Sequence, residues 1–257
     1  MRQAEHVTQP PSGGTDYASY LLIDDLLSLQ RPLTEGAHDE LLFIIVHQSY
    51  ELWFKLILHE LELARDELDA GRPQRALRPL KRVNAVERLL LQHLDVLETM
   101  GPEGFLEFRD PLAPASGFQS RQFRSIEWIS GARDTWPGGE PPPGRPLYEA
   151  FCAAGRALGV DLPDGDDEAA RAARVSALAD LYRTHDQDPE RTVLHAVAEL
   201  LLDHDETIGR WRFHHTLMAA REIGTRPGTG GSRGVEYLRT TVDRRFFADL
   251  WDVRVAL

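Results

Sequence analysis

Two segments with histidines in apolar surroundings are the parts of this chain best suited to chemistry. Residues 38–55, HDELLFIIVHQSYELWFK, are apolar almost all the way round a helix, yet His47 lies at their centre. Residues 211–215, WRFHH, end on the pair His214-His215. A buried imidazole must be satisfied by a ligand or by a protein group. One imidazole on each of two long helices suits a haem pocket. Residue types alone favour the commoner alternative, a core histidine whose hydrogen bonds are made by other protein groups.

The arginine of the FLEFRD segment is the second candidate. Phe105 and Arg109 are i, i+4 neighbours on a helical turn. A guanidinium beside an aromatic ring suits bidentate binding of a carboxylate. The alternative, which residue types favour, is an ion pair between Arg109 and Asp110 on the surface.

The third candidate is GTGGSRG, residues 228–234. Its four glycines permit close approach of the backbone to a ligand. This composition predicts either a mobile lid over a small-molecule site or a plain connection between helices, and its spacing is not that of a phosphate-binding loop.

The remaining polar residues of interest have simpler predicted roles. Glu51, four residues after His47, is expected either to orient that imidazole or to pair with Lys55. Four histidines lie in polar surroundings and are predicted to be solvated: His6, His38, His185 and His204.

Long helices are needed to bring these residues together, and the apolar spacing predicts them. The predicted helices cover residues 17–30, 36–70, 73–99, 118–130, 147–158, 167–185, 188–223 and 237–250, with a short helix within 101–117. Thr15 is the expected cap of the first helix, and Gly71 and Gly224 are the expected stops of the two longest. No segment alternates as a strand does. We therefore predict a flexible arm over residues 1–14 and one all-α domain over 15–257, a single-domain helical bundle with two long helices that carry the candidate histidines.

Composition limits the partners and the compartment. The 257 residues carry a net charge of −12, which argues against nucleic acid or an anionic membrane as a partner. No apolar run is expected to span a membrane, and no signal peptide is recognisable. Cys152 is the only cysteine, which excludes an internal disulfide and covalent CxxCH haem attachment. The expected location is the cytoplasm.

Taken together, five blocks resemble the tryptophan 2,3-dioxygenase family. In chain order they are YLLIDDLLSLQ, HDELLFIIVHQSYELWFK, FRDPLAPASGFQSRQFRSIE, WRFHH and GTGGSRGVEYL, and they span nearly the whole chain. The resemblance implies an all-α fold, haem b held without covalent attachment, L-tryptophan and O₂ as substrates, and a homotetramer.

The resemblance also implies a role for individual residues. The axial ligand of the haem iron falls on His215, the catalytic histidine that contacts the indole N–H on His47, and the carboxylate-binding arginine on Arg109. Thr229 takes the position that meets the substrate's ammonium and carboxylate groups. Further substrate-binding positions fall on Phe43, Phe105, Leu112, Ser116 and Gly117, and Tyr17, Tyr20 and Leu21 match residues that complete the pocket of a neighbouring subunit.

The implied reaction is insertion of both atoms of O₂ across the indole C2–C3 bond to give N-formyl-L-kynurenine, as in tryptophan catabolism through the kynurenine pathway. Two alternatives stay open: a related haem monooxygenase of a secondary-metabolite pathway that forms a 2-oxindole, and a haem or amino-acid sensor without turnover. The chain departs from the family pattern at Arg233, where a second serine usually follows GTGGS. His214 directly precedes the implied ligand, so a register error of one residue would exchange the two.

Overall fold

Helices form the regular structure of this computed structural model, which describes residues 15–257. The α-helices are α1 (Tyr17–Leu21), α2 (Ile23–Leu27), α3 (Glu40–Asp69), α4 (Pro73–Leu97), α5 (Gly101–Leu112), α6 (Arg121–Ile129), α7 (Leu147–Ala157), α8 (Glu168–Thr184), α9 (Pro189–Ile223), α10 (Val235–Arg239) and α11 (Ala248–Ala256). Short 3₁₀ turns cover Gly117–Gln119, Arg133–Thr135 and His185–Gln187. No strand occurs within the described range. The predicted all-α, single-domain fold is confirmed, and the predicted arm over residues 1–14 lies outside the described residues.

The core lies between three long helices. α3 packs along α4, and α4 packs along α9, while α6 and α7 cover α3. Leu61, Leu80 and Leu201, one from each long helix, are completely buried in this core. The two longest helices, of 30 and 35 residues, are the two that the sequence predicted.

The ends of α9 show why the longest helix was predictable. The Asp188 side chain accepts a hydrogen bond from the backbone N–H of Glu190 at 2.7 Å, and Pro189 occupies the first turn. Gly224 ends the helix with a φ of 58°.

Both terminal helices are interrupted where the sequence predicted continuity. The predicted helix over 17–30 divides into α1 and α2 because Leu22 adopts a left-handed φ of 51°. Asp16, not Thr15, caps α1, since its carboxylate accepts the Ser19 N–H at 2.8 Å. The predicted helix over 237–250 likewise divides into α10 and α11.

α3 begins four residues later than predicted and is more exposed than predicted. The carboxylate of Glu40 accepts the backbone N–H groups of Leu33 and Thr34 at 2.7 and 2.8 Å, which holds the preceding turn outside the helix. By length and composition alone α3 could cross a membrane, contrary to the expectation from the sequence, although core helices pass the same test. In this structure α3 is packed between α4, α6 and α7.

Candidate haem and substrate pocket

A cavity of about 290 Å³ lies where α3, α5, α6, α9 and the glycine-rich loop meet. It brings together eight of the residues predicted to form the site: Phe43, His47, Phe105, Arg109, Ser116, Gly117, His215 and Thr229. Its inner wall is apolar and aromatic, with Tyr50, Phe54, Leu94, Phe123, Trp211 and Met218 among the lining residues. Such a wall excludes water and strengthens the few polar interactions inside.

His215 enters the cavity from α9 as a neutral imidazole. Its ring stacks on Trp211, with 5.1 Å between ring centroids and an interplanar angle of 12°. The Trp211 indole N–H donates to the Tyr50 hydroxyl at 3.3 Å, and that hydroxyl donates to the Leu90 carbonyl at 2.7 Å. Burial, with smaller contributions from His47 and His214, lowers the pKa of His215 to about 4. A lone pair on this ring is therefore available to a metal at neutral pH.

His214 points elsewhere, so the one-residue alternative is disfavoured by geometry. Its Nε2 atom lies 3.7 Å from a carboxylate oxygen of Asp95 and 3.5 Å from one of Glu98. It does not line the cavity.

The chemistry of the cavity fits a haem. One neutral imidazole in an apolar cavity suits an iron whose other ligands come from a porphyrin. Within residues 15–257, no group of three or more His, Cys, Asp or Glu side chains is arranged to hold a bare metal ion. His215 therefore offers an imidazole that fits a haem iron.

His47 is fixed by its own helix. Its Nδ1 atom lies 2.7 Å from the carbonyl oxygen of Phe43, and its ring packs 4.0 Å from the Phe43 ring. A carbonyl can only accept, so Nδ1 carries the proton and Nε2 of the neutral ring is left as an acceptor. Burial lowers the pKa of His47, although the Phe43 carbonyl and the Glu51 carboxylate partly oppose the shift. Glu51 itself accepts a hydrogen bond from Gln122 at 2.9 Å, rather than from His47 or Lys55.

Arg109 is held at the edge of the cavity, not on the surface. Its Nη2 donates to the carbonyl of Pro227 at 2.7 Å, while its contact with Asp110 is a long 3.4 Å. The Arg109 side chain is only 17% exposed, whereas that of Asp110 is 92% exposed. The buried Nε of Arg109 has no hydrogen-bond partner among the described residues. A surface ion pair therefore does not describe this guanidinium, which keeps a donor free for an anionic group.

The glycine-rich loop packs on the turn that follows α5. The Thr229 hydroxyl donates to the Ala115 carbonyl at 2.6 Å. A Cβ atom at Gly230 would lie 2.6 Å from Cβ of Ser116, so only glycine permits this approach. Arg233 points to solvent and pairs with Glu236 at 3.3 Å, so the departure from the family pattern does not reach the cavity.

One group of cavity residues has no counterpart in the sequence analysis. Glu127 accepts hydrogen bonds from both Arg124 and Arg212, and all three side chains are buried and line the cavity. The only local signal is the i, i+3 spacing of Arg124 and Glu127, because Arg212 lies 85 residues further along the chain.

Some residues from the sequence analysis lie elsewhere. Leu112 is not a lining residue and packs against the core. Tyr17, Tyr20 and Leu21 are 77%, 73% and 42% exposed and do not line this chain's cavity. The prediction that His204 is solvated is wrong.

His204 is completely buried because two partners far apart in sequence enclose it. Its Nδ1 lies 2.6 Å from the Glu87 carboxylate and its Nε2 lies 2.8 Å from the Ser130 hydroxyl.

Comparison with known proteins matches this chain to one family over nearly its whole length. The sequence model described as tryptophan 2,3-dioxygenase matches residues 2–136 and 162–257. A tryptophan 2,3-dioxygenase of Anaeromyxobacter sp. strain K is 42% identical over 265 residues, which cover 96% of this chain and 97% of the relative. One from a Nocardioides species is 44% identical over 94% of both chains, and one from Bacillus thuringiensis is 35% identical over the full length of both. This chain belongs to the tryptophan 2,3-dioxygenase family.

Proposed function

We propose that this chain is a haem-dependent tryptophan 2,3-dioxygenase that converts L-tryptophan and O₂ into N-formyl-L-kynurenine. The observation that carries the proposal is one apolar cavity that contains a neutral His215, a neutral His47 with a free acceptor nitrogen, and an Arg109 with a free donor. A metal ligand, a partner for an indole N–H and a partner for a carboxylate are the three polar groups that this reaction needs.

We infer that the cofactor is haem b, held without covalent attachment. His215 binds the iron, and the aromatic wall of the cavity contacts the porphyrin. The only cysteine, Cys152, is buried away from the cavity, which supports non-covalent binding. When bound, haem supplies the chemistry by which O₂ reacts with the indole C2–C3 bond.

The remaining residues bind and orient tryptophan. Arg109 binds the carboxylate with its planar donor edge, and Thr229 meets the same end of the amino acid. Nε2 of His47 accepts a hydrogen bond from the indole N–H, which sets the rotation of the ring. Phe43 and Phe105, whose ring centroids are 5.8 Å apart, provide the apolar wall for the indole.

We further propose that the chain acts in the cytoplasm as a homotetramer in which the N-terminal segment completes a neighbouring pocket. Tyr17 and Tyr20 project from α1 into solvent, as expected of residues that await a partner. Leu41, Ile45 and Leu52 form an exposed apolar stripe on α3 that a second copy would cover.

Mass spectrometry of the product distinguishes this function from its alternatives. Ferrous protein, L-tryptophan and ¹⁸O₂ are expected to give a product that has gained two labelled oxygen atoms. A gain of one oxygen would indicate the monooxygenase that forms a 2-oxindole. Recovery of unchanged tryptophan by haem-loaded protein would indicate a sensor.

A further inference from the structure

Near its C-terminal end, α9 contributes an acid to the cavity wall. Glu222 follows His215 by seven residues, nearly two helical turns, so both side chains lie on the same face of α9. Met218 and Ala219, between them, also line the cavity. Glu222 is only 5% exposed, and its Oε2 has no hydrogen-bond partner among the described residues. The roles proposed above leave this carboxyl group unused.

The charged groups around Glu222 do not neutralise the charge of its carboxylate. Glu98, just after α4, and Glu103, in the first turn of α5, are the acidic neighbours, and Arg221 is the nearby cation. Arg221 is 66% exposed and donates to Glu98, and His214 also lies against Glu98. Burial raises the pKa of Glu222, Arg221 opposes the shift, and Glu98 and Glu103 add to it. The carboxyl group therefore exchanges its proton at a higher pH than an ordinary glutamate does.

We propose that Glu222 adjusts the reduction potential of the bound haem through the charge of its carboxyl group on the His215 face of the cavity. The inference rests on the proposed function, because it requires haem. A carboxylate favours ferric over ferrous iron, since ferric iron carries one more positive charge and an apolar cavity screens the attraction poorly. Protonation of Glu222 therefore favours the ferrous state, which is the state that binds O₂.

Spectroelectrochemical titration of the holoprotein from mildly acidic to mildly alkaline pH tests this. We compare the wild-type protein with Glu222→Gln and with Glu107→Gln, a matched loss of an exposed carboxylate outside the cavity and away from Glu222. The midpoint potentials of wild type and Glu222→Gln are expected to coincide at acidic pH. As pH rises, the wild-type potential falls below that of Glu222→Gln, and Glu107→Gln follows the wild type. A Glu222→Gln potential that follows the wild type at every pH would overturn the proposal.

A second variant separates charge from packing. Glu222→Asp keeps the ionisable group and is expected to restore a potential that falls with pH. If Glu222→Asp and Glu222→Gln shift the potential equally at every pH, packing is the cause and the proposal fails. Uptake of hemin by the wild type, followed by its absorption spectrum, is measured first, so that failure of the haem assignment is distinguished from failure of the role of Glu222.

Discussion

At the scale of single residues, burial gives the cavity two neutral imidazoles, which lie beside the guanidinium group of Arg109. Desolvation is the largest cause of the lowered pKa values of both His47 and His215. Arg109 adds a guanidinium with a free donor at the edge of the cavity. At neutral pH the pocket therefore presents acceptors for an N–H and for a metal, and a donor edge for an anion.

Substitution of Arg109 tests the carboxylate site. Arg109→Ala is expected to raise the KM for L-tryptophan and to leave the haem spectrum unchanged. The rise should correspond to a loss of ~2–5 kcal/mol of binding free energy, which is typical of a broken buried charge pair. Arg233→Ala, which removes an exposed arginine from the neighbouring loop, is the control and keeps the wild-type KM. Steady-state kinetics measure both. A near-normal KM for Arg109→Ala would refute this role.

Substitution of the two adjacent histidines tests the iron ligand. His215→Ala is expected to lose haem or its five-coordinate spectrum, because no other cavity imidazole lies on α9. His214→Ala is expected to retain both, since His214 lies against Asp95 and Glu98. Absorption spectra after reconstitution with hemin measure the outcome. Loss of haem in His214→Ala and its retention in His215→Ala would indicate that His214 is the ligand.

At the scale of elements, the site depends on a loop held against a turn. The Pro227 carbonyl and the Thr229 hydroxyl bind Arg109 and Ala115, respectively, so the loop and the α5 segment form one wall of the pocket. The substrate's carboxylate would bind the same guanidinium that now holds the loop. The proposed function therefore couples the position of the loop to substrate binding.

Gly230 tests this coupling. Gly230→Ala is expected to raise the KM for L-tryptophan without loss of haem, because its new Cβ would lie 2.6 Å from Cβ of Ser116 and displace the loop. The double variant with Ser116→Gly removes the collision and is expected to recover part of the affinity. Kinetics that are identical in the single variant and the wild type would show that the loop can pack elsewhere.

The long helices were predictable from the sequence because local signals define them. Asp188, Pro189 and Gly224 mark the ends of α9, and apolar spacing continues between them. The breaks at Leu22 and between α10 and α11 were not predictable. Leucine is not a residue expected with positive φ, and the segment that separates α10 from α11 contains neither glycine nor proline.

Site residues were predictable where a motif carries them and unpredictable where the fold alone brings them together. His47, Arg109 and Thr229 lie within the blocks of the family resemblance, and the structure brings them to one cavity. His204 looked solvated because its sequence neighbours are polar, whereas its partners Glu87 and Ser130 are 117 and 74 residues away. No local sequence pattern indicates contacts between residues so far apart in the chain.

At the scale of the whole molecule, the exposed α1 predicts dependence on a neighbouring subunit. Deletion of residues 1–21 is expected to weaken tryptophan binding while haem is retained, because Tyr17, Tyr20 and Leu21 do not line their own chain's cavity. Substrate-induced difference spectra and light scattering measure binding and assembly. Wild-type affinity in the truncated protein would show that the pocket is complete within one chain.

The buried His204–Glu87 pair predicts how stability depends on pH. Burial alone would lower the pKa of His204, but the Glu87 carboxylate and its hydrogen bond outweigh burial and raise it. The folded chain therefore keeps a proton that the unfolded chain releases near pH ~6.5. The stabilisation is complete below that pH and is lost as pH rises through the pKa of the folded state.

Urea unfolding at a series of pH values measures this dependence. The free energy of unfolding of the wild type is expected to fall as pH rises above ~6.5. The double variant His204→Leu, Glu87→Leu is expected to have a flatter profile. Removal of Glu87 alone leaves the buried imidazole without its anionic partner, at a cost of about 3–5 kcal/mol. Identical pH profiles in the double variant and the wild type would contradict the assignment.

The stacking of Trp211 on His215 gives the protein an intrinsic fluorescent reporter. An indole whose ring centroid lies 5.1 Å from that of the His215 imidazole is expected to lose its emission by energy transfer when a porphyrin enters the cavity. Occupancy of the pocket can therefore be followed in unlabelled protein, and Trp211→Phe identifies the share of the signal that comes from this position.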